Sequence, residues 1–512
     1  ALANAGAPAR DKLRALAREC GAQGADALVL SALDEVAWAL NLRGADVPHC
    51  PVVLAYAIVR ADASAGDNAG ADEGTPAATL YVDEAKLGDE VRAHLEASGV
   101  AVRPYATACG DLRDLARSGA RAWLDPSTAS AALFAAAEAG AAARAGAAFA
   151  RAKKARGNVG YESKEGAEAA AAEEAVLRAP SPVALAKALK NDAELAGMHA
   201  CHARDGAAVV RFLSWLQGAV DAGEALDECS VADVLEGFRA KDPLFRSLSF
   251  DTIAGAGPNG AIIHYRAEPS SCRGLRAGEL FLLDSGAQYE DGTTDVTRTV
   301  QVGSGAADPF HSACFTAVLK GNIALDSAIF PEGTPGFALD SFARQALWRA
   351  GLDYRHGTGH GVGAALNVHE GPQSISPRWG NTTPLQSGMV LSNEPGYYED
   401  GSFGIRIENL LVVREAKTEH NFGGKTYLGF ERLTHIPIQK ALIDVALLTT
   451  EEADWVDAYH ADVYALIAPL LEDDEEDASA LAFLKEATAP LDREGQGSAI
   501  RGAPALVGAA RE

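Results

Sequence analysis

The stretch LLDSGAQYEDGTTDVTRTV, residues 282–300, places Asp284 and Asp295 eleven positions apart in sequence that otherwise reads as strand. Asp284 directly follows the apolar residues Phe281, Leu282 and Leu283. A surface hairpin has no need of a carboxylate there, and a core hairpin normally excludes one. Other stretches repeat the anomaly. In LSNEPGYY (391–398), Glu394 ends an apolar strand where Pro395 and Gly396 force a turn. In FGIRIENLLVV (403–413), Arg406 and Glu408 are two apart, so a strand directs both to one face and Phe403, Ile405 and Ile407 to the other, buried one. HGTGHGVG (356–363) holds His356 and His360 among glycines, and His369 follows in NVHEGP.

Asp284, Asp295, Glu394 and Glu408 thus all stand in apolar strand contexts. Converging in one cleft without counter-ions they would repel, and several would have to bind protons. Two divalent cations cancel the four charges, and bridging carboxylates allow the ions to sit roughly 3.5–4 Å apart. One imidazole among oxygen donors selects Mn²⁺, Co²⁺ or Zn²⁺ over Cu(I).

The rest of the composition bounds the partners. At 512 residues and 48% hydrophobic content, the chain has material for two or three domains with full cores. Acidic residues outnumber basic ones 70 to 45, for a net charge of −25, which disfavours nucleic acid and anionic membranes as partners. Seven cysteines without a CxxC argue against a disulfide framework or a zinc knuckle and suit a reducing, cytoplasmic setting. No apolar run is long and uncharged enough to span a bilayer. The chain begins at Ala1 rather than Met, so an upstream segment is expected to be missing.

Four segments are expected. Residues 1–126 alternate helix (DKLRALAREC, DEVRAHLEASG) with buried strand (DALVLSAL, VVLAYAIVR), which predicts an α/β domain with a partly parallel sheet. Residues 127–182 are dominated by alanine and read as an insertion or linker, a surface helix or a mobile stretch. Residues 183–470 open on long helices and continue into hairpins with Gly-containing turns, an α+β pattern. Residues 471–512, in which EDDEED follows Leu471, read as a solvated, partly disordered acidic tail.

Read together, GPNGAIIHY (257–265), LLDSGAQYEDGTTDVTRT (282–299), HGTGHGVGAALNVHEGP (356–372) and SNEPGYYEDGSFGIRIEN (392–409) resemble the pita-bread metallopeptidases, the family of methionine aminopeptidase, prolidase and Xaa-Pro aminopeptidase. ALDEVAWALNLRGADV (32–47) and KNDAELAGM (190–198) resemble its eukaryotic cytosolic Xaa-Pro branch. The likeness covers roughly residues 10–125 and 183–465. It implies an α+β pita-bread catalytic domain preceded by a smaller α/β domain of the creatinase/prolidase N-terminal type. It implies that Asp284 binds one metal through both oxygens, that Asp295 and Glu408 bridge two metals, and that His360 and Glu394 complete the other. His264 and His369 match histidines that contact substrate, and His356 and Arg406 match groups beside the metals. The implied reaction is hydrolysis of the bond between an N-terminal residue and a penultimate proline, by a hydroxide bridging two divalent ions, Mn²⁺ first and Co²⁺ or Zn²⁺ as alternatives. A homodimer is also implied. Relatives of this branch have three domains and this sequence starts where the second would, so weakened peptide binding is expected. The alternatives are a prolidase restricted to Xaa-Pro dipeptides and a non-catalytic scaffold binding basic partners; retention of all five ligand-type residues disfavours the scaffold.

Overall fold

The structure, a computed structural model, describes residues 2–61, 77–156, 163–472 and 475–493. It divides into two units, Ala1–Lys187 and Ala188–Glu512.

The first unit is built on strands β1 (Ala27–Leu30), β2 (Ala55–Arg60), β3 (Ala78–Val82), β4 (Val100–Pro104), β5 (Ala122–Leu124) and β6 (Val176–Arg178). Their order in the sheet is β4-β3-β2-β1-β5-β6. β1 runs antiparallel to β2 and parallel to β5, so the sheet is mixed. Because alternate residues of a strand face opposite ways, the four apolar residues of β1 serve two cores. Leu28 and Leu30 join Leu13, Leu16 and Leu40 on one face; Ala27 and Val29 join Leu112, Ala116 and Leu133 on the other. A strand buried on both faces reads as a continuous apolar run.

The alanine-rich stretch departs from the expectation. It is neither a linker nor an appended insertion: helix Ala131–Arg156 packs on helix Ala108–Ser118, and the chain returns through helix Lys164–Glu174 to supply edge strand β6. Leu133, Ala136, Ala137 and Ala141 are buried. Small side chains let helix axes approach closely, so alanine here is a packing surface; a Cβ on Gly140 would overlap the carbonyl of Arg113. Residues 157–162 lie outside the described residues.

The second unit opens on the 30-residue helix Asp192–Asp221, whose start is fixed by a capping box between Asn191 and Glu194. Its strands are β7 (Phe245–Leu248), β8 (Ile253–Ala256), β9 (Leu280–Ser285), β10 (Ala287–Tyr289), β11 (Val296–Gln301), β12 (Phe330–Pro331), β13 (Gly359–Gly361), β14 (Glu370–Ile375), β15 (Val390–Asn393), β16 (Gly396–Glu399), β17 (Phe403–Arg406), β18 (Asn409–Ala416) and β19 (Tyr427–Arg432). A three-stranded sheet, β11-β9-β8, accompanies a six-stranded one, β12-β19-β18-β15-β13-β14. The run read as a single strand over 403–413 is two: β17 pairs with β16, the chain turns at Ile407 and Glu408, and β18 joins the larger sheet. Phe403, Ile405 and Ile407 are buried.

The acidic tail is also corrected in part. Helix Ala478–Ala487 sets Ala480 and Leu484 into the core, and Asp477 receives both nitrogen donors of the Arg211 fork. The composition of EDDEED predicts a solvated stretch, but Asp477, the last of its six carboxylates, anchors this helix by a charge-assisted bond. Residues 473–474 and 494–512 lie outside the described residues. Among the described residues no helix is long and apolar enough to cross a membrane.

Two consequences are measurable. A Cβ at Gly404 of β17 would overlap the carbonyl of Gly260, in the turn that precedes His264. Gly404→Ala should therefore destabilise the second unit by about 1–3 kcal/mol, read as a lowered midpoint in urea. His202 and His460 are buried and neutral: His202 donates Nδ1–H to the Met198 carbonyl, and His460 Nε2 accepts from the Ile438 amide. Burial holds each down to about 4, against 6.5 when exposed. The unfolded chain takes up these protons first, so stability should fall as pH drops from 6.5 towards 4, by on the order of a few kcal/mol. Substituting Asn at both positions should flatten that part of the stability–pH curve.

Candidate metal centre

Strand register brings the acidic residues together. β9 and β11 pair with Asp284 opposite Thr297, and Asp295 stands immediately before β11. β13 carries His360 and pairs with β15 at Gly361 and Leu391. Glu394 follows β15, held by its amide bond to the Thr358 carbonyl at 2.8 Å. Glu408 sits at the turn between β17 and β18, its amide donating to the Thr297 carbonyl at 3.1 Å. Two sets of ligand atoms result, Asp284–Asp295–Glu408 and His360–Glu394–Glu408, each with its atoms within 4.8 Å of one another. They share Glu408. A third set joins Asp295, His360 and His369.

The hydrogen bonds prepare these atoms for a cation. His360 donates Nδ1–H to the Gly361 carbonyl at 2.9 Å, which leaves the Nε2 lone pair pointing at Asp295 (3.4 Å) and Glu394 (3.5 Å). A lone pair facing carboxylates is repulsive unless a proton or metal lies between them, and a backbone-held Nδ1–H is the usual support of a metal-binding imidazole. Asp284 Oδ1 is buried without any partner, while Oδ2 meets Arg406 at 2.5 Å. Arg406 Nε donates to Thr297 Oγ1 at 3.0 Å, and that hydroxyl donates to Glu408 Oε2 at 2.8 Å. Ser392 Oγ donates to Glu394 at 3.0 Å.

The proton affinities report the same stress. Burial, reinforced by the other carboxylates, pushes Glu408 well above the usual range; burial opposed by His360 still leaves Asp295 up at about 6 and Glu394 at about 7. Burial alone would lower His360, but Asp295 and Glu394 outweigh it and raise it to about 9. Burial works against the charge of Arg406 too, and Tyr398 and Asp284 outweigh it. The pocket calls for more positive charge than the guanidinium supplies. A divalent-cation pair fits both that deficit and the oxygen-rich donor set.

The remaining expected residues surround this cluster. His369 and His264 are exposed, with the His369 ring 4.1 Å from that of His360. His356, held down to about 3 by burial and the nearby Arg406 charge, accepts from the Tyr398 hydroxyl at 2.9 Å and donates Nδ1–H to the Gly357 carbonyl at 2.7 Å. Tyr398 in turn accepts from Arg406 at 2.7 Å. Thr297, Ser392 and Tyr398 were not singled out from the sequence. Thr297 and Ser392 each lie two residues from an acidic group, Asp295 and Glu394, on the same strand face, and that alternation was the available signal.

Residues 196–415 match the model of metallopeptidase family M24, residues 426–491 that of the C-terminal region of peptidase M24, and residues 1–159 that of the creatinase/prolidase N-terminal domain. Aminopeptidase P2 of Arabidopsis thaliana is 51% identical over 468 residues, 91% of this chain and 63% of its own length. Aminopeptidase P1 of Lotus japonicus is 43% identical over 523 residues, 95% of this chain and 75% of its own. The X-prolyl aminopeptidase of Caenorhabditis elegans, described as a cytosolic enzyme with a di-nuclear active site, superposes with a TM-score of 0.81 at 34% identity, covering 96% of this chain and 72% of that one. The chain belongs to metallopeptidase family M24, with a creatinase-type N-terminal domain before a pita-bread domain. It spans 63% of the length of the Arabidopsis relative.

Thr297→Val would keep the side-chain volume and remove the hydroxyl that links Arg406 to Glu408. Such supporting groups are worth roughly ten- to a hundredfold in metal affinity. Calorimetric titration of the metal-free chain with Mn²⁺ should show a loss in that range, and unchanged affinity would show that Thr297 does not orient Glu408.

Proposed function

We propose that this chain is a dinuclear metal-dependent aminopeptidase that removes an N-terminal residue from peptides with proline in the second position. The observation that carries the reading is the convergence of Asp284, Asp295, His360, Glu394 and Glu408, drawn from strands distant in sequence, on two ligand sets sharing Glu408. Those five side chains would hold two divalent ions, of which Mn²⁺ best suits one imidazole among carboxylates. Once bound, such ions supply Lewis acidity and bring the ionisation of water close to neutral pH.

Chain residues supply the remaining chemistry. Glu394, a carboxylate of the His360–Glu394–Glu408 set, takes the proton of the attacking water at a carboxylate oxygen and passes it to the departing proline nitrogen. To His369 and His264, exposed beside the cluster, we assign donation to the scissile carbonyl oxygen as it gains charge. Both require a proton at the bonding nitrogen; desolvation of the ring where it enters the cleft, with the charges of His360 and His264, holds His369 down to about 4, so it donates as neutral imidazole. Arg406, Tyr398 and His356 form a continuous hydrogen-bonded chain that fixes Asp284.

The preference for proline rests on the named relatives, aminopeptidases P of two plants and the X-prolyl enzyme of the nematode. Seven free cysteines support a reducing, cytoplasmic compartment. A homodimer belongs to the same reading.

Asp295→Asn should abolish hydrolysis of an Xaa-Pro-Xaa peptide while circular dichroism stays near that of the parent chain, because a charge common to the Asp284–Asp295–Glu408 and Asp295–His360–His369 sets is lost. The parent chain should bind two Mn²⁺ by metal analysis after dialysis. Full turnover by the variant with two ions retained would overturn the role given to Asp295. Cleavage of Xaa-Pro but not of Xaa-Pro-Xaa would replace the aminopeptidase by a dipeptidase.

A further inference from the structure

Away from the acidic cluster, two cysteines face each other. Residues 226–228 and 273–275 form a short antiparallel pairing: Asp227 lies opposite Gly274, the Glu228 amide donates to the Arg273 carbonyl at 3.1 Å, and the Leu275 amide to the Leu226 carbonyl at 2.9 Å. Where this pairing ends, Cys229 enters the first turn of helix Glu228–Arg239 and Cys272 immediately precedes Arg273, so the two thiols are brought together. Both sulfurs and an oxygen of Asp227 lie within 4.8 Å of one another. Both cysteines are free and half-buried, whereas Cys20, Cys201 and Cys314 are buried.

We propose that Cys229 and Cys272 are a redox-active dithiol that glutathione disulfide closes into an intrachain disulfide. A metal is the competing occupant of Asp227, Cys229 and Cys272, and the geometry disfavours it. One oxygen of Asp227 is committed to the Ser230 amide at 2.8 Å as the N-cap of helix Glu228–Arg239. The N-terminal end of a helix carries partial positive charge, which repels a cation and leaves a neutral disulfide unaffected.

The exchange balances without any further reagent. Burial, with the neighbouring thiol, pushes Cys229 up to about 11, so its thiolate is scarce at neutral pH. The Cys272 thiolate attacks one sulfur of glutathione disulfide, forming a mixed disulfide and releasing one glutathione thiolate. Cys229 then attacks the Cys272 sulfur and the second glutathione leaves. The two thiol protons end on the two glutathiones, the protein loses two electrons, and glutathione disulfide gains them.

Closure would act on a buried node. Glu228, beside Cys229, accepts from the amides of Ala256 (2.8 Å) and Arg273 (2.9 Å), from Asn259 Nδ2 (3.0 Å) and from the Tyr265 hydroxyl (2.7 Å). These bonds hold the 256–265 turn that ends at His264 and Tyr265. A covalent link across 229 and 272 should tighten that turn and slow its amide exchange.

The test is peptide mapping of the full chain under non-reducing conditions after incubation with glutathione disulfide, alongside hydrogen exchange. Expected are a linked Cys229–Cys272 peptide lighter by two hydrogens, its reversal by dithiothreitol, and slower exchange across 256–265 in the closed form. Cys229→Ser should stop at a glutathione adduct on Cys272, and Cys272→Ser should prevent closure by the other route. Recovery of both cysteines as free thiols, or as two separate glutathione adducts, would overturn the proposal. So would stoichiometric zinc that survives dialysis and shields both thiols in the parent chain but not in either variant.

Discussion

Asp284, Asp295, Glu394 and Glu408 share one water-poor cleft, and two carboxylates about 4 Å apart repel by about 4 kcal/mol even at an effective dielectric of 20. Several such pairs cannot be ionised together unless positive charge is built in beside them. Arg406 supplies part of it through Asp284, and the raised proton affinities of Asp295, Glu394, Glu408 and His360 mark what is lacking. Protons or divalent ions fill that deficit. Ions do so at neutral pH, which makes metal binding and the stability of this cleft one linked equilibrium.

Strand geometry allows such a cluster to persist in a folded chain. The acidic residues stand at strand ends or turns, where one side of the backbone opens to the cleft while the other stays in the core. Leu283 packs into the core behind Asp284, and Ile405 and Ile407 flank Arg406 in the same way. The supporting groups repeat this economy. Thr297 links Arg406 to Glu408, Ser392 holds Glu394, and the fully buried Lys190 pairs with Glu370 beside His369. That pair ties the residue next to His369 to the start of helix Asp192–Asp221.

The first unit solves a different problem, covering both faces of a mixed sheet. Its alanine-rich helix does so with little apolar area per residue, through close approach to helix Ala108–Ser118. Low burial per residue is compatible with a structural role when backbones come near enough for dispersion contacts to be numerous.

Much of the acidic cluster was legible because carboxylates in apolar strand contexts are costly and therefore informative. Asp284, Asp295, Glu394, Glu408 and His360 were each visible as a residue type out of keeping with its neighbours. The fold class followed from periodicity and from the resemblance those motifs carried. Other features were not local. Nothing in AALFAAAEAG says whether its alanines meet solvent or another helix, since alanine suits both. The chain gives Ser230 no mark that its neighbour Cys229 will oppose Cys272, forty-three residues on, nor Tyr398 any mark that it will bridge Arg406 and His356. One acidic residue of the tail, Asp477, differs from the others only in meeting Arg211. Sequence by itself determined which residues needed a partner, because desolvation cost depends on residue type and local burial pattern. Only the tertiary structure decided which partner each received, because strand register and helix packing place groups a hundred residues apart within hydrogen-bonding distance.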